Sequence, residues 1–180
     1  MVDMFEFFNQ EPSEGAASSV GTSGVSGSDV FVLSIGGSVF AKDKTSSSEI
    51  AKISDSINAL KREGYKFAVV AGGGKPARDF VASAKTLGAN NYVLDEIAIK
   101  VTRMNAYLLL QSLDDAFPEV LTEVPPAKNA LELGKIPVLG GLMPGFTTDT
   151  VAALLAEFLG ARFVNLSNQD GVFTADPKCV

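Results

Sequence analysis

Three stretches of this chain are apolar without alternation, and each stops at glycine. VFVLSI (30–35) runs into Gly36-Gly37-Ser38, KFAVVA (66–71) into Gly72-Gly73-Gly74, and IPVLGG (136–141) ends on its own glycine pair. An apolar run that does not alternate marks a strand covered on both faces. Between the runs the apolar residues take helical spacing. Ser46-x-x-Glu49 reads as a capping box, followed by a stripe of Ile50, Ile53, Ile57 and Leu60 that stops at Gly64. Pro76 suits the first turn of a helix that reaches about Leu87. Asp95 is read as opening a longer helix with Ile97, Val101, Met104 and Leu108 on one face. Residues 119–123 read as a strand and 127–133 as a short helix. Thr147-Thr148-Asp149 starts a helix carrying Val151, Leu154, Leu155 and Phe158, which ends at Gly160, and ARFVNLS (161–167) is a last strand.

Strands alternating with amphipathic helices predict an α/β fold: a mainly parallel sheet in a three-layer α/β/α sandwich. In such sheets ligands sit beyond the carboxyl ends of the strands. Here that edge gathers Gly36–Ser38, Gly72–Gly74, the 140–148 loop and Ser167-Asn168.

Composition narrows the chemistry. The 180 residues contain no His, one Cys (Cys179) and no Trp. Ser-His-Asp and Cys-His hydrolysis, imidazole ligation, disulfide frameworks and Cys-based zinc sites within the chain are therefore excluded. Carboxylates, Lys, Arg, hydroxyls, backbone amides and a magnesium ion remain available.

The net charge of −6 is uneven: Asp3, Glu6, Glu11, Glu14 and Asp29 all precede Lys42, the first basic residue. The remainder is nearly neutral, so the basic face of a nucleic-acid binder is not expected. No apolar run is long enough for a membrane span, and the N-terminus lacks the pattern of a signal peptide. The expectation is a cytoplasmic protein without nucleic-acid or membrane partners. In residues 13–29, 10 of 17 positions are Ser or Gly. Such a stretch cannot offset its ordering entropy, so residues 1–29 are expected to be a disordered acidic tail before a domain over 30–180. Met4-Phe5-Glu6-Phe7-Phe8 within it is read as a floppy leader, with docking onto a partner as the alternative.

Glycine turns ahead of helices let backbone N–H groups and a helix N-terminus meet a phosphate. Two such loops on one edge fit a polyphosphate or two phosphorylated substrates. Neither is a Walker loop, since no G-x-x-x-x-G-K-[ST] occurs. Lys75 and Arg78 follow the triple glycine, where they can neutralise charge or simply be solvated. Thr147 and Thr148 can cap a helix or bind a ligand oxygen, and Asp149 can favour a first helical turn or organise a transferring group. Gly72-x-Gly74-x-x-Ala77 with Asp95 downstream also fits a relaxed dinucleotide-binding pattern, which leaves a Rossmann-type oxidoreductase open.

Together GGS (36–38), GGGKPARD (72–79), LDEIAIKVTRMNA (94–106), PGFTTDTVAALLAEFLGA (144–161) and NQDGVFTADP (168–177) resemble the amino acid kinase superfamily, and within it the UMP kinases of archaeal type. The resemblance runs from Val30 to the last residue. It implies transfer of the ATP γ-phosphoryl group to UMP, with magnesium accompanying ATP, no separate protein-bound metal, and a homo-oligomer, in the family usually a hexamer. It implies that Gly37, Ser38, Gly74 and Arg78 lie at the ATP phosphates, with Ser167, Phe173 and Asp176 bordering the ATP nucleoside. Gly73 would approach the UMP phosphate and Asp95 the ribose. Leu142, Met143, Pro144, Gly145, Phe146, Thr147 and Thr148 would wrap the uridylate. Asp149, Arg78 and Lys75 would be the catalytic group. Ser34 stands where many members carry Lys, Leu142-Met143 where a polar pair is usual, Phe173 for Tyr and Ser167 for Thr. Family chains continue for several dozen residues past the Asp-Pro motif, so residues 30–180 are expected to be a truncated amino acid kinase domain whose C-terminal part is missing. A non-catalytic nucleotide- or anion-binding relative, and sister kinases of acetylglutamate, aspartate or carbamate, are the alternatives within the fold.

Overall fold

The computed structural model of the protein describes residues 30–40 and 46–167. Five strands form one sheet: β1 (Val30–Ile35), β2 (Lys66–Ala71), β3 (Ala116–Leu121), β4 (Ile136–Leu139) and β5 (Arg162–Leu166). Their order is β3-β4-β2-β1-β5, and every pairing is parallel. A short 3-10 turn (Gly37–Phe40) follows β1. The helices are α1 (Ser46–Arg62), α2 (Gly74–Thr86), α3 (Asn91–Leu110), α4 (Pro126–Glu132) and α5 (Thr148–Leu159). No helix among the described residues is long and apolar enough to cross a membrane.

The apolar runs do what unalternating strands must. Leu33, Ile35, Phe67 and Val69 face one core with Ile57 and Leu60 of α1 and Ala106 and Leu109 of α3. Val32, Ala68 and Val70 face the other, with Ala127 of α4 and Val151, Ala152 and Leu155 of α5. The sheet is thus the middle of three layers, as expected.

Four local readings are corrected. Asp95 does not open α3; Asn90 does, its side chain accepting a hydrogen bond from the Val93 N–H, and Asp95 lies in the second turn. The face of α3 on the core is also not the one expected. Val101 is buried, but Met104 and Leu108 are 65% and 57% exposed, whereas Thr102, Asn105, Ala106 and Leu109 are buried. That helix is apolar around most of its girth, so periodicity does not select a side. In α5, Leu154 and Phe158 likewise point outward, while Ala152 and Ala156 meet the sheet; small residues let the helix approach the strands closely. Finally, β3 starts at Ala116 rather than Glu119. Pro118 obscures it, since proline is tolerated where a strand lies at a sheet edge.

At the amino-terminal edge, Asp115 accepts from Lys61 Nζ at 2.6 Å and Lys135 Nζ at 3.2 Å, tying α1 to the start of β4. Lys61, then Lys135, holds the Asp115 carboxyl below the usual carboxylate value of 3.8. A depressed carboxylate stabilises the fold above its unfolded pKa and loses that contribution as pH falls through its folded value. Asp115→Asn is therefore expected to lower stability at pH 7 and to be indistinguishable from the parent once the solution is acidic enough to protonate Asp115, as measured by urea unfolding across pH.

Candidate functional site

The glycine loops meet at the carboxyl edge of the sheet. A Cβ on Gly37 would lie 2.1 Å from the Gly74 nitrogen, and one on Gly74 would lie 2.0 Å from the Gly37 carbonyl oxygen. Gly74 also takes φ +65°, a left-handed value that side chains disfavour. The first and second loops are thus in backbone-to-backbone contact. Glycine is required here by loop packing as well as by any ligand.

Beside this contact is a cavity of about 280 Å³. Gly73, Gly74, Ala77 and Arg78 form one wall, and Asp95, Ala98, Ile99 and Thr102 of α3 form the floor. Gly141, Met143, Phe146, Thr147 and Thr148 close the other side. The N-termini of α2 and α5 both border it, and Gly73, the residue before α2, gives that helix no side-chain cap. Two helix N-termini and the Arg78 guanidinium make this a place for an anion. The apolar surfaces of Ile99, Met143 and Phe146 suit a flat organic group next to it.

Residues of α3 hold the loops from beneath. The Asn105 side-chain amide donates to the Gly72 and Gly73 carbonyls at 2.8 and 3.1 Å. Thr102 Oγ1 accepts from the Gly141 N–H and donates to the Ile99 carbonyl, both at 2.7 Å. Arg103 donates to the carbonyls of Gly141 and Leu142 at 3.0 and 3.2 Å. Asp95 Oδ2 accepts from the Gly145 N–H at 2.8 Å and so fixes the 141–147 loop across the cavity. Thr102, Arg103 and Asn105 were not picked out from the sequence as site residues. No local signal marks them, because the backbone groups they serve come within reach only when the loops have folded.

Thr102→Val keeps the volume but leaves the buried Gly141 N–H without its acceptor. The expected cost is about 1–3 kcal/mol in urea unfolding.

The other expected site residues fall as follows. Thr147 caps α5, its hydroxyl accepting from the Thr150 N–H at 3.1 Å. Ser34, buried in β1, donates to Asp149 Oδ1 at 2.7 Å. That bond orients an otherwise exposed carboxylate at the junction of β1 and α5. Lys75 lies away from the cavity lining and pairs with Asp79 one turn along α2. Gly37 and Ser38 lie in the turn after β1 and do not line the cavity, Gly37 touching Gly74 of its wall, and Leu142, Pro144 and Gly145 belong to the bordering loop without lining it. Ser167 follows β5 at the same edge and is exposed. Phe173 and Asp176 lie outside the described residues. No cluster of three or more His, Cys, Asp or Glu capable of holding a metal occurs among the described residues.

The topology weighs against the dinucleotide-binding reading. The order β3-β4-β2-β1-β5 differs from the 3-2-1-4-5 arrangement of that fold, and Asp95 stands inside a helix rather than at a strand end.

Comparison with known proteins agrees with this architecture. Uridylate kinase of Pyrococcus abyssi is 45% identical over 150 residues, covering 82% of this chain and 66% of that protein. Uridylate kinase of Methanosarcina mazei is 40% identical over 152 residues, covering 83% of this chain and 64% of that protein. The chain thus spans just under two thirds of the length of these relatives. The crystal structure of uridylate kinase from Archaeoglobus fulgidus superposes with a TM-score of 0.74 at 41% identity, covering 82% of this chain and 67% of that one. The model of the amino acid kinase family matches residues 29–180. With that match running over most of its length, and with the parallel sheet and paired glycine loops at its carboxyl edge, the chain belongs to the amino acid kinase family.

Proposed function

We propose that this chain serves the transfer of the ATP γ-phosphoryl group to UMP, giving UDP for pyrimidine nucleotide synthesis. The observation that carries the reading is the cavity between two helix N-termini, with Arg78 on its wall and Asp95, Thr147 and Thr148 around it. Similarity to proteins named uridylate kinase supports the choice of substrate.

Phosphoryl transfer needs positioning and charge neutralisation more than a strong base. The residues on hand supply both. Arg78 and the first turn of α2 neutralise phosphate charge where the two substrates face each other. Lys75 adds long-range positive charge from the outer side of α2. Gly37, Ser38 and Gly74 bring backbone close to the ATP phosphates, with Ser167, Phe173 and Asp176 towards its nucleoside. Gly73 meets the UMP phosphate. Asp95 accepts from a ribose hydroxyl, and the 142–148 loop encloses the uridylate, Thr147 and Thr148 offering hydroxyls.

Asp149, held by Ser34, organises the cationic groups. Magnesium prefers one or two carboxylates plus substrate phosphates, and the exposed Asp149 oxygen suits that donor set. Bound with ATP, the ion would supply charge neutralisation.

The exposed Phe80, Met104, Tyr107 and Leu108 on α2 and α3 support self-association, with a hexamer as the assembly. A single cysteine and the lack of a membrane-crossing helix among the described residues fit a cytoplasmic enzyme.

Titration calorimetry tests the substrate assignment. UMP is expected to bind more tightly than AMP, GMP or CMP, and Arg78→Gln to weaken it. Equal binding of all four, or none, contradicts the reading. A second reading, binding without turnover, is favoured by Ser34 standing where a lysine is common; it predicts UMP binding with no ADP release.

A further inference from the structure

The opposite, amino-terminal edge of the sheet carries a second cavity, of about 190 Å³. It lies between the ends of α1 and α4. Tyr65, Phe67 and Ile136 give it an apolar wall, and Lys61, Lys66 and Lys135 stand around it. Asp115 engages Lys61 and Lys135 together, so one carboxylate answers two of the three ammonium groups. Lys66 takes part in no ion pair among the described residues. The wall continues into an aromatic cluster: Phe31 meets Tyr65 edge-on at 5.8 Å between centroids and Phe67 at 6.0 Å. The phosphoryl-transfer site makes no use of this edge.

The chain enters the sheet at the same place. Val30, the first residue of β1, is the register partner of Lys66. Adjacent strands are about 4.8 Å apart, so the preceding segment leaves the sheet next to the least neutralised lysine of the cavity. That segment has five acidic residues and no basic one over residues 1–29. It also holds Met4-Phe5-Glu6-Phe7-Phe8, aromatic rings with a carboxylate between them and Asp3 just ahead.

We infer that residues 3–8 dock into this basic, aromatic-walled cavity of their own chain. An aromatic ring of the segment packs on Tyr65, the partly exposed member of the aromatic cluster, and Asp3 and Glu6 answer Lys66 and its neighbours. Reach is sufficient. The 21 residues between Phe8 and Val30 are rich in Ser and Gly, and a flexible linker of that length has an r.m.s. span of roughly 25 Å. Because the segment is tethered, its effective concentration is on the order of millimolar, so a weak contact suffices.

The test compares the full chain with a tail variant, F5A/F7A/F8A combined with D3N/E6Q, by ¹H–¹⁵N amide spectra. The expected result is displaced resonances of Tyr65, Lys66 and Gly134, with Gly73 and Gly141 at the far edge unmoved. Lys66→Glu in the otherwise natural chain is expected to displace Phe5, Glu6 and Phe7 in turn. Neither effect should depend on protein concentration. Unchanged cavity amides, displacements confined to the exposed face of α3, or displacements that vanish on dilution would each overturn the inference, the last by assigning the contact to a second copy.

Discussion

Gly37→Ala is expected to be strongly damaging, although it adds only a methyl group at a residue with no positive φ. The new carbon would lie 2.1 Å from the Gly74 nitrogen and 2.3 Å from its Cα. Both are backbone atoms, so no side chain can rotate away, and the two loops must separate. Overpacking costs typically 1–3 kcal/mol, and a backbone clash belongs at the upper end, about 3 kcal/mol. For a domain of this size that lowers Tm by roughly 6–12 °C. The chemistry is lost as well, because the turn after β1 and the first turn of α2 are both displaced. Gly64→Ala is the matched control. Its Cβ meets nothing within 4 Å, so its cost comes only from the φ of 105°. Thermal unfolding of the two variants decides the matter: equal, small losses would mean that the loops are not in contact.

The second large effect is on turnover. Asp149→Asn is expected to lower kcat by on the order of 100-fold, the scale for removing one preorganised electrostatic group. UMP affinity should change little, because the carboxylate lies outside the cavity lining. Stability should fall by less than about 1 kcal/mol, since Asn keeps an acceptor for the Ser34 hydroxyl and only the first-turn charge of an exposed residue is lost. Ser34→Ala removes the 2.7 Å bond that orients the carboxylate. Its effect on kcat should be smaller and should nearly disappear in the Asp149→Asn background, as for two residues acting as a unit. Additive losses would separate the two side chains.

What could be read from the amino-acid sequence followed from strong local rules. VFVLSI and KFAVVA admit little besides buried parallel strands, and their glycine endings mark the edge where the cavity lies. The Thr147 cap and the Gly160 terminus of α5 were legible for the same reason, each being a residue type with one strong structural preference. The inward face of α3 was not. Ile97, Val101, Met104 and Leu108 make a plausible stripe, but tertiary contact with the glycine loops selects Thr102, Asn105 and Leu109 instead. Polar residues are chosen there because the 72–73 and 141 backbone groups need partners, and that need exists only once the loops are folded. The Ser34–Asp149 bond spans 115 positions and has no local signal. Nor did the sequence separate Lys75, paired outward with Asp79, from Arg78 on the cavity wall.

The cavity at the carboxyl edge is proposed to accept UMP as a phosphoryl acceptor. A coupled assay of ADP release, with ATP, magnesium and each nucleoside monophosphate in turn, addresses it directly. Release is expected to depend on UMP, to exceed that with AMP, GMP or CMP, and to fall about 100-fold in Asp149→Asn. Release that is indifferent to UMP, or unaffected by Asp149→Asn, would contradict it.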